Sequence, residues 1–336
     1  MFNKVYEKIK EILKENYKSL LIFLSIFLLF TIKLPYYINT PGGFVDVNKR
    51  VVIEDGFESE GSLNMAFVTE LKATIPTLII SMFNKDWDVF KEEEIVYENE
   101  TEKDLYYREK LMLEESTNNA IIVGFTKANK NVSIVSTKLF VTYIDENAET
   151  DLKIGDEIIE IDGKSIKNTS ELSEILKNKK PNAKISLKVI SDNKEKIKTA
   201  TLKEKEGKPI IGILISEKKE IETNPKLELK FKKSESGPSG GLMTALSIYN
   251  YLTEEDITKG KLIVGTGTID ARCNVGQIGG VKYKLKGAVK KKAPIFIVPK
   301  GKNYEEAIEL KERYGYKIKI IGVSTFDEAL EALNNL

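Results

Sequence analysis

The chain has 336 residues, of which 41% are apolar, and its 52 basic and 51 acidic side chains leave a net charge of +1. That length suits two or three domains with real cores, and the even charge sets up no global field toward nucleic acid. With one cysteine, Cys273, no intrachain disulfide exists, and with no histidine there is no Ser-His-Asp or Cys-His catalysis, no His-Glu-x-x-His zinc site and no histidine base.

The first segment carries Lys4, Lys8, Lys10, Lys14 and Lys18 and leads into the uncharged run SLLIFLSIFLLFTI at 19–32. The run is short for a membrane span, but Lys18 and Lys33 can snorkel, and Tyr36 and Tyr37 suit an interfacial belt. Neither a small-x-small cleavage site nor a lipobox cysteine follows. We therefore expect a retained N-terminal transmembrane helix, a transmembrane anchor over 19–38, behind a cytoplasmic basic tail at 1–18. The positive-inside bias then puts everything after Tyr37 outside the cytoplasm.

Residues 39–130 read as a membrane-proximal segment with a turn at Pro41-Gly42-Gly43, strands in VVIEDGF and SLNMAFVTEL, and helices over 76–83 and 104–126. From 131 to 217 short strands surround one helix, NTSELSEILKN. Asp162-Gly163 and Asp192-Asn193 are hairpin-turn pairs, and Ile185, Leu187 and Val189 alternate with Lys184, Ser186 and Lys188, the pattern of a half-buried sheet. Asp162-Gly163-Lys164-Ser165 ends like a phosphate loop, but Ile158 stands where a Walker motif needs glycine, so ATP binding is not expected. From 218 to 336 strands and helices alternate, as in an α/β or α+β domain. Lysine runs there, such as Lys290–Lys292, read as solvated faces.

Within this last part SESGPSGG, at 234–241, opens the apolar run LMTALSIYNYL. Glycines and a proline put Ser239 where a helix N-terminus exposes its backbone N–H groups, a place suited to an oxyanion. A serine N-cap fits the same position, and the residues alone leave cap and nucleophile open. If Ser239 is a nucleophile, a lysine must take its proton, for no histidine is present.

The stretch ENAETDLKIGDEIIEIDGKSI resembles a PDZ domain of the bacterial protease-associated type. The resemblance implies a peptide-binding edge at Leu139, Phe140 and Val141, extending to Tyr143, with Leu172 and Leu176 of the helix lining the groove. The ordered series GPSGG, GTGTID, VGQIGGVKYK, IFIVPKGKN and a late EAL resembles the Lon-type proteolytic domain. Together with the anchor and NTPGG, nearly the whole chain resembles the membrane-anchored PDZ–Lon-like serine proteases. The implied fold class is α/β and α+β multidomain: a transmembrane helix, a PDZ-like β-sheet domain with a helix, and a C-terminal Lon-protease-like α/β domain.

By the same resemblance Ser239 is the nucleophile and Lys284 the general base. Lys282 and Lys284 flank the stripe of Val281, Leu285, Ala288 and Val289 at similar angles, so only the family pattern chooses between them. Thr266 is expected to hydrogen-bond the lysine, and Pro238 and Gly240 to support the oxyanion site. Two departures stand out: Ser236 replaces a frequent acid three residues before the serine, and Cys273 occupies a turn where glycine is usual. The implied function is a membrane-anchored, extracytoplasmic, ATP-independent Ser–Lys endopeptidase acting on peptides or flexible protein segments, with the PDZ domain recruiting or gating them. The alternative is a catalytically inactive PDZ-based peptide-binding or scaffold protein. No metal, cofactor, ATP or nucleic acid is expected as a partner, whereas a lipid bilayer is, and a homo-oligomer is left open because Lon-type domains often form rings.

Overall fold

The computed structural model describes residues 2–98, 100–232 and 234–336, with backbone alone at 2–4 and 9, so the Lys4 side chain lies outside the described residues. In chain order the elements used below begin with α1 (Phe2–Thr31), β1 (Tyr36–Asp46), β2 (Val51–Ile53), β3 (Ser62–Lys72), α2 (Ile75–Phe83) and β4 (Asp88–Lys91). Next come α3 (Glu102–Lys127), β5 (Asn131–Ile144), β6 (Glu157–Ile161), α4 (Thr169–Lys177), β7 (Lys184–Ser191), β8 (Lys194–Thr201), β9 (Ile213–Asn224) and β10 (Leu227–Leu229). The last are α5 (Gly241–Leu252), β11 (Leu262–Gly265), α6 (Val281–Lys290), β12 (Ile295–Pro299), α7 (Lys302–Tyr314), β13 (Lys319–Val323) and α8 (Phe326–Asn334). The chain divides into two compact units, residues 1–40 with 69–95, and residues 41–68 with 96–336.

In the first unit β1 pairs antiparallel with β4, from Tyr36 opposite Lys91 to Asn39 opposite Asp88. The expected anchor over 19–38 is not one helix. α1 stops at Thr31, and Pro35, which cannot donate a backbone hydrogen bond, precedes strand β1 at Tyr36. Tyr37 is buried at 6% exposure under the Lys72 ammonium, 4.4 Å from its ring, so it is a packing residue and not a belt residue. Among the described residues no helix is long and apolar enough to cross a membrane.

The second unit holds strands of two larger sheets. In the first, β13, β12, β11 and β3 lie side by side in parallel, Leu262–Gly265 of β11 pairing with Ser62–Met65 of β3 on one side and its last three residues with Ile295–Ile297 of β12 on the other. Alternate residues feed two cores, as expected for parallel strands buried on both faces. Ile263, Ile295 and Ile297 pack with Leu242, Met243 and Leu246 of α5, while Val264, Phe296 and Val298 pack with Val281, Leu285 and Ala288 of α6. The segment 39–130 is therefore not a domain of its own. Residues 62–68 belong to this sheet, and β2 pairs with β10, Val51–Ile53 against Leu227–Leu229. Pairings of this sequence separation leave no mark on local periodicity.

The second sheet runs β9-β5-β6-β7-β8. Its core holds Leu139, Val141, Ile158, Ile161, Ile185, Leu187 and Val189, closed by Leu172 and Leu176 from α4. Asn168 caps α4 by accepting the Glu171 N–H at 2.8 Å. Here the edge expected at Leu139–Tyr143 is corrected. β5 is paired on both sides, Leu139 and Phe140 with Ile158 and Glu157 of β6, and Leu139 through Tyr143 with Glu217 to Leu214 of β9. Leu139 and Val141 are core side chains, at 1% and 0% exposure. The end strand beside α4 is β9.

Candidate active site

Gly237 has φ +80, a conformation costly for any residue with a Cβ, and Pro238 fixes the next φ, so the chain turns sharply before α5. Gly240 is the N-cap of that helix, not Ser239. The hydroxyl of Ser239 makes no cap bond, and among the described residues the backbone N–H groups of Ser239 and Gly240 donate to no protein acceptor. The serine thus stands at the positive end of a buried helix with its hydroxyl uncommitted.

Three groups hold this turn. Thr266, fully buried just after β11, donates its hydroxyl to the Ser239 carbonyl at 3.0 Å, and Gly267 N–H reaches the same oxygen at 2.8 Å. Where a bond from Thr266 to the lysine was expected, its hydroxyl donates to the Ser239 backbone. Ser116 of α3 donates to the Pro238 carbonyl at 2.7 Å. A Cβ at Gly241 would lie 2.4 Å from the same Ser116 hydroxyl, which explains the second glycine of the GG pair. Further out, Arg50 and Glu235 form an ion pair at 2.6 Å, the Lys110 ammonium donates to the Glu235 carbonyl, and Gly237 N–H donates to the Glu109 carbonyl at 3.1 Å. Glu109 also brings its carboxyl within 3.0 Å of where a Gly237 Cβ would be, and burial raises its pKa. An acid thus approaches the turn from α3, although the chain has Ser236 where an acid is frequent.

A cavity of ≈ 280 Å³ opens beside Ser239 and Gly240. Met65, Phe67, Leu113 and Phe231 give it an apolar wall, and Arg50 and Ser234 a polar one. The aliphatic and aromatic wall suits a peptide side chain.

Lys284 lies one turn into α6. Gly280 begins that helix at φ +71, and a Cβ there would meet Val68 at 2.7 Å. On the same helix a Cβ at Gly287 would meet the Gly43 nitrogen at 2.6 Å, so the Pro41-Gly42-Gly43 stretch within β1 is a close-packed seat for α6. Lys284 is 4% exposed, and burial alone pushes its ammonium down to about 8. Lys282 is only half-buried, 5.5 Å from the Tyr283 ring centroid. Lys286 is buried against Tyr314, its ammonium 4.7 Å from that ring. Of the two lysines the sequence left side by side, Lys284 is the one in a desolvated place. Cys273 has φ +69 in its turn, and burial raises its thiol, so it is no activated nucleophile. Among the described residues no cluster of three metal-ligating side chains occurs.

A second concavity, ≈ 710 Å³, lies between α4 and the run Pro209–Ile215 at the start of β9. Leu172, Ser173 and Leu176 line one side of it, and Gly212, Ile213 and Ile215 the other. The helical residues expected at a groove are thus placed there, opposite β9 and not β5.

Ser116, Glu109 and Arg50 were not foreseen. A signal for Ser116 does exist: Ser116-Thr117-Asn118-Asn119 is a run of poor helix formers in the middle of α3. Its side chains bond other elements, Ser116 to Pro238, Asn118 to the Lys219 carbonyl at 3.1 Å and Asn119 to the Ile269 carbonyl at 3.2 Å.

Family comparisons agree with this layout. The PDZ domain family matches residues 120–203, and the Lon protease (S16) C-terminal proteolytic domain matches residues 232–335. A Lon protease of Campylobacter concisus (strain 13826) is 29% identical over 185 residues, 52% of this chain and 22% of its own length. One from Desulfatibacillum aliphaticivorans is 34% identical over 95 residues, 28% of this chain and 11% of its own. The chain therefore spans less than a quarter of the length of these relatives. The solved PDZ domain of an SdrC-like protein from Listeria innocua is 32% identical, with 23% of this chain and 92% of that chain covered and a TM-score of 0.22. The similarity to the S16 class of serine peptidases lies in the part of the chain that holds Ser239 and Lys284. The chain is thus similar to PDZ domains over residues 120–203 and, after them, to the proteolytic domain of Lon proteases over residues 232–335.

Proposed function

We propose that the chain is an endopeptidase working through a Ser239–Lys284 dyad without ATP, tethered to a membrane on the non-cytoplasmic side. The observation that carries the dyad is the burial of Lys284, which by itself holds the ammonium near 8. A lysine at its ordinary value near 10.4 stays protonated at neutral pH, whereas this one supplies a usable neutral fraction. The neutral amine takes the Ser239 proton as Oγ attacks the scissile carbonyl, and returns it to the leaving amine. The N–H groups at Ser239 and Gly240 face the developing oxyanion, a contribution of about 3–4 kcal/mol per donor in comparable sites.

The groove between α4 and β9 supports a recruiting role, with an extended peptide adding to the exposed side of β9. The lack of a Walker motif supports ATP independence, and hence action on segments that are already flexible. Tethering is supported by the run 20–30, where ten apolar side chains are exposed around the whole circumference of α1. The lysines before it favour a cytoplasmic N-terminus. Turnover of a fluorogenic peptide library by the wild type, Ser239→Ala, Lys284→Arg and the double variant tests the dyad. Arginine does not deprotonate in proteins, so both single variants should lose activity, and the double variant should lose no more. A Lys284→Arg enzyme that still turns over would refute the assignment.

A further inference from the structure

We propose that α2 is a second membrane contact, a short helix lying in the headgroup region of the bilayer that receives α1. The inference rests on the tethering by α1 put forward above and adds to it a separate surface. α2 reads IPTLIISMF and has no buried residue, although Ile75, Leu78, Ile79, Ile80, Met82 and Phe83 make up most of it and it carries no charge. Met82 and Phe83 are 81% and 85% exposed, and Ile79 and Ile80 about half exposed. A helix of this kind that only completed a protein core would bury one face.

Its position names the occupant. Leu34 N–H donates to the Ala73 carbonyl at 2.8 Å, and Ala73 N–H to the Tyr36 carbonyl at 2.9 Å. These bonds fasten the chain leaving α1 beside the chain about to start α2, and Thr74 and Pro76 fix that start through a capping box and a helix-compatible φ. The exposed apolar faces of α1 and α2 therefore belong to one structural unit and adjoin at its root. A folded protein partner would cover one side of α1, whereas its apolar residues from Leu20 to Phe30 are exposed on all sides, which only a surrounding apolar medium matches. A lipid surface that takes α1 is continuous with α2. Nine residues suit an element lying in the interface and are far too few for a span. Asn84 and Lys85 end the apolar run, and Trp87, an interfacial residue type, follows.

Trp87 is the single tryptophan of the chain and so reports on the turn that ends α2. The protein is reconstituted with vesicles of phosphatidylcholine and phosphatidylglycerol, the choline lipid either plain or brominated near the upper end of its acyl chains. Flotation reads tethering, and Trp87 emission reads the depth of α2. The result expected is flotation with emission quenched in the brominated vesicles. For the doubly substituted Met82→Asp, Phe83→Asp protein, altered only at exposed positions, it is flotation with the quenching lost. Flotation of the wild type with equal Trp87 emission in both vesicles would overturn the role of α2 while leaving the tether standing. Failure to float would overturn both.

Discussion

At the scale of single residues the proposed chemistry turns on one buried amine. Moving Lys284 into an apolar surrounding costs the protonated form stability, and that cost is what suits the amine to the proposed role of base. The sign of the linkage follows. Between about 8 and the unfolded value of 10.5 the unfolded chain binds the proton and the folded chain does not, so stability rises with pH across that window. Below it the native state carries the full penalty. Lys284→Met should therefore give an inactive protein that is more stable at pH 7 by roughly 3 kcal/mol, read from chemical denaturation, since each tenfold loss of proton affinity corresponds to about 1.4 kcal/mol. A less stable Lys284→Met protein would show that the ammonium is paired and not merely buried. Thr266→Val removes the hydroxyl held against the Ser239 carbonyl and should lower kcat with little change in KM. Should KM rise instead, Thr266 acts on substrate binding.

Ser239 and Lys284 stood out in the sequence because their motifs are local: GPSGG and the Gly-Gly pair four residues before the lysine. Helical angle could not separate Lys284 from Lys282, since burial depends on what packs above α6, which here is Gly43 and its neighbours, far away in the chain. The role of Thr266 was misplaced for a related reason. Its motif marks it as important but does not say that its hydroxyl reaches the Ser239 carbonyl.

At the scale of elements, α3 is the member no motif announced. One side of it holds the Ser239 turn through Ser116 and Glu109, and other positions reach β9, Glu114 pairing with Lys218 at 2.8 Å and Asn118 with the Lys219 carbonyl. The strand beside the proposed peptide groove and the loop bearing Ser239 are thus set against one rigid helix. Ser116→Ala removes a single hydrogen bond of roughly 1 kcal/mol and should lower kcat about fivefold, with KM held. No change in kcat would mean that Pro238 is fixed without it.

The PDZ sheet itself was readable from its turn pairs and its period-two alternation. Its outer edge was not, because β5 is equally apolar whether it borders solvent or β9. The prediction at this scale moves accordingly to the α4–β9 groove. Ser173→Trp, an exposed position on its wall, should raise KM for natural substrate and leave kcat for a short peptide unaltered. Equal KM values would remove the groove from substrate recruitment.

At the scale of the whole molecule, the segment between the N-terminal helix and the PDZ sheet proved to be several things at once. Residues 62–68 supply a strand of the parallel sheet, the glycine pair at 42–43 seats the helix that carries Lys284, and α2 stands exposed in the first unit. None of this is visible in local pattern, for parallel strands separated by about two hundred residues share only their composition. Topology has its own test, a reporter fused after residue 60, which should be active only outside the cytoplasm.

The central claim is that a neutral Lys284 activates Ser239, and the pH dependence of kcat/KM for a short fluorogenic peptide tests it most directly. The dyad predicts activity that rises with pH through about 8 and then levels, because only the deprotonated amine accepts the serine proton, and no measurable rate for Lys284→Arg at any pH. A profile flat from about pH 6 to 10, or one preserved in Lys284→Arg, would contradict it.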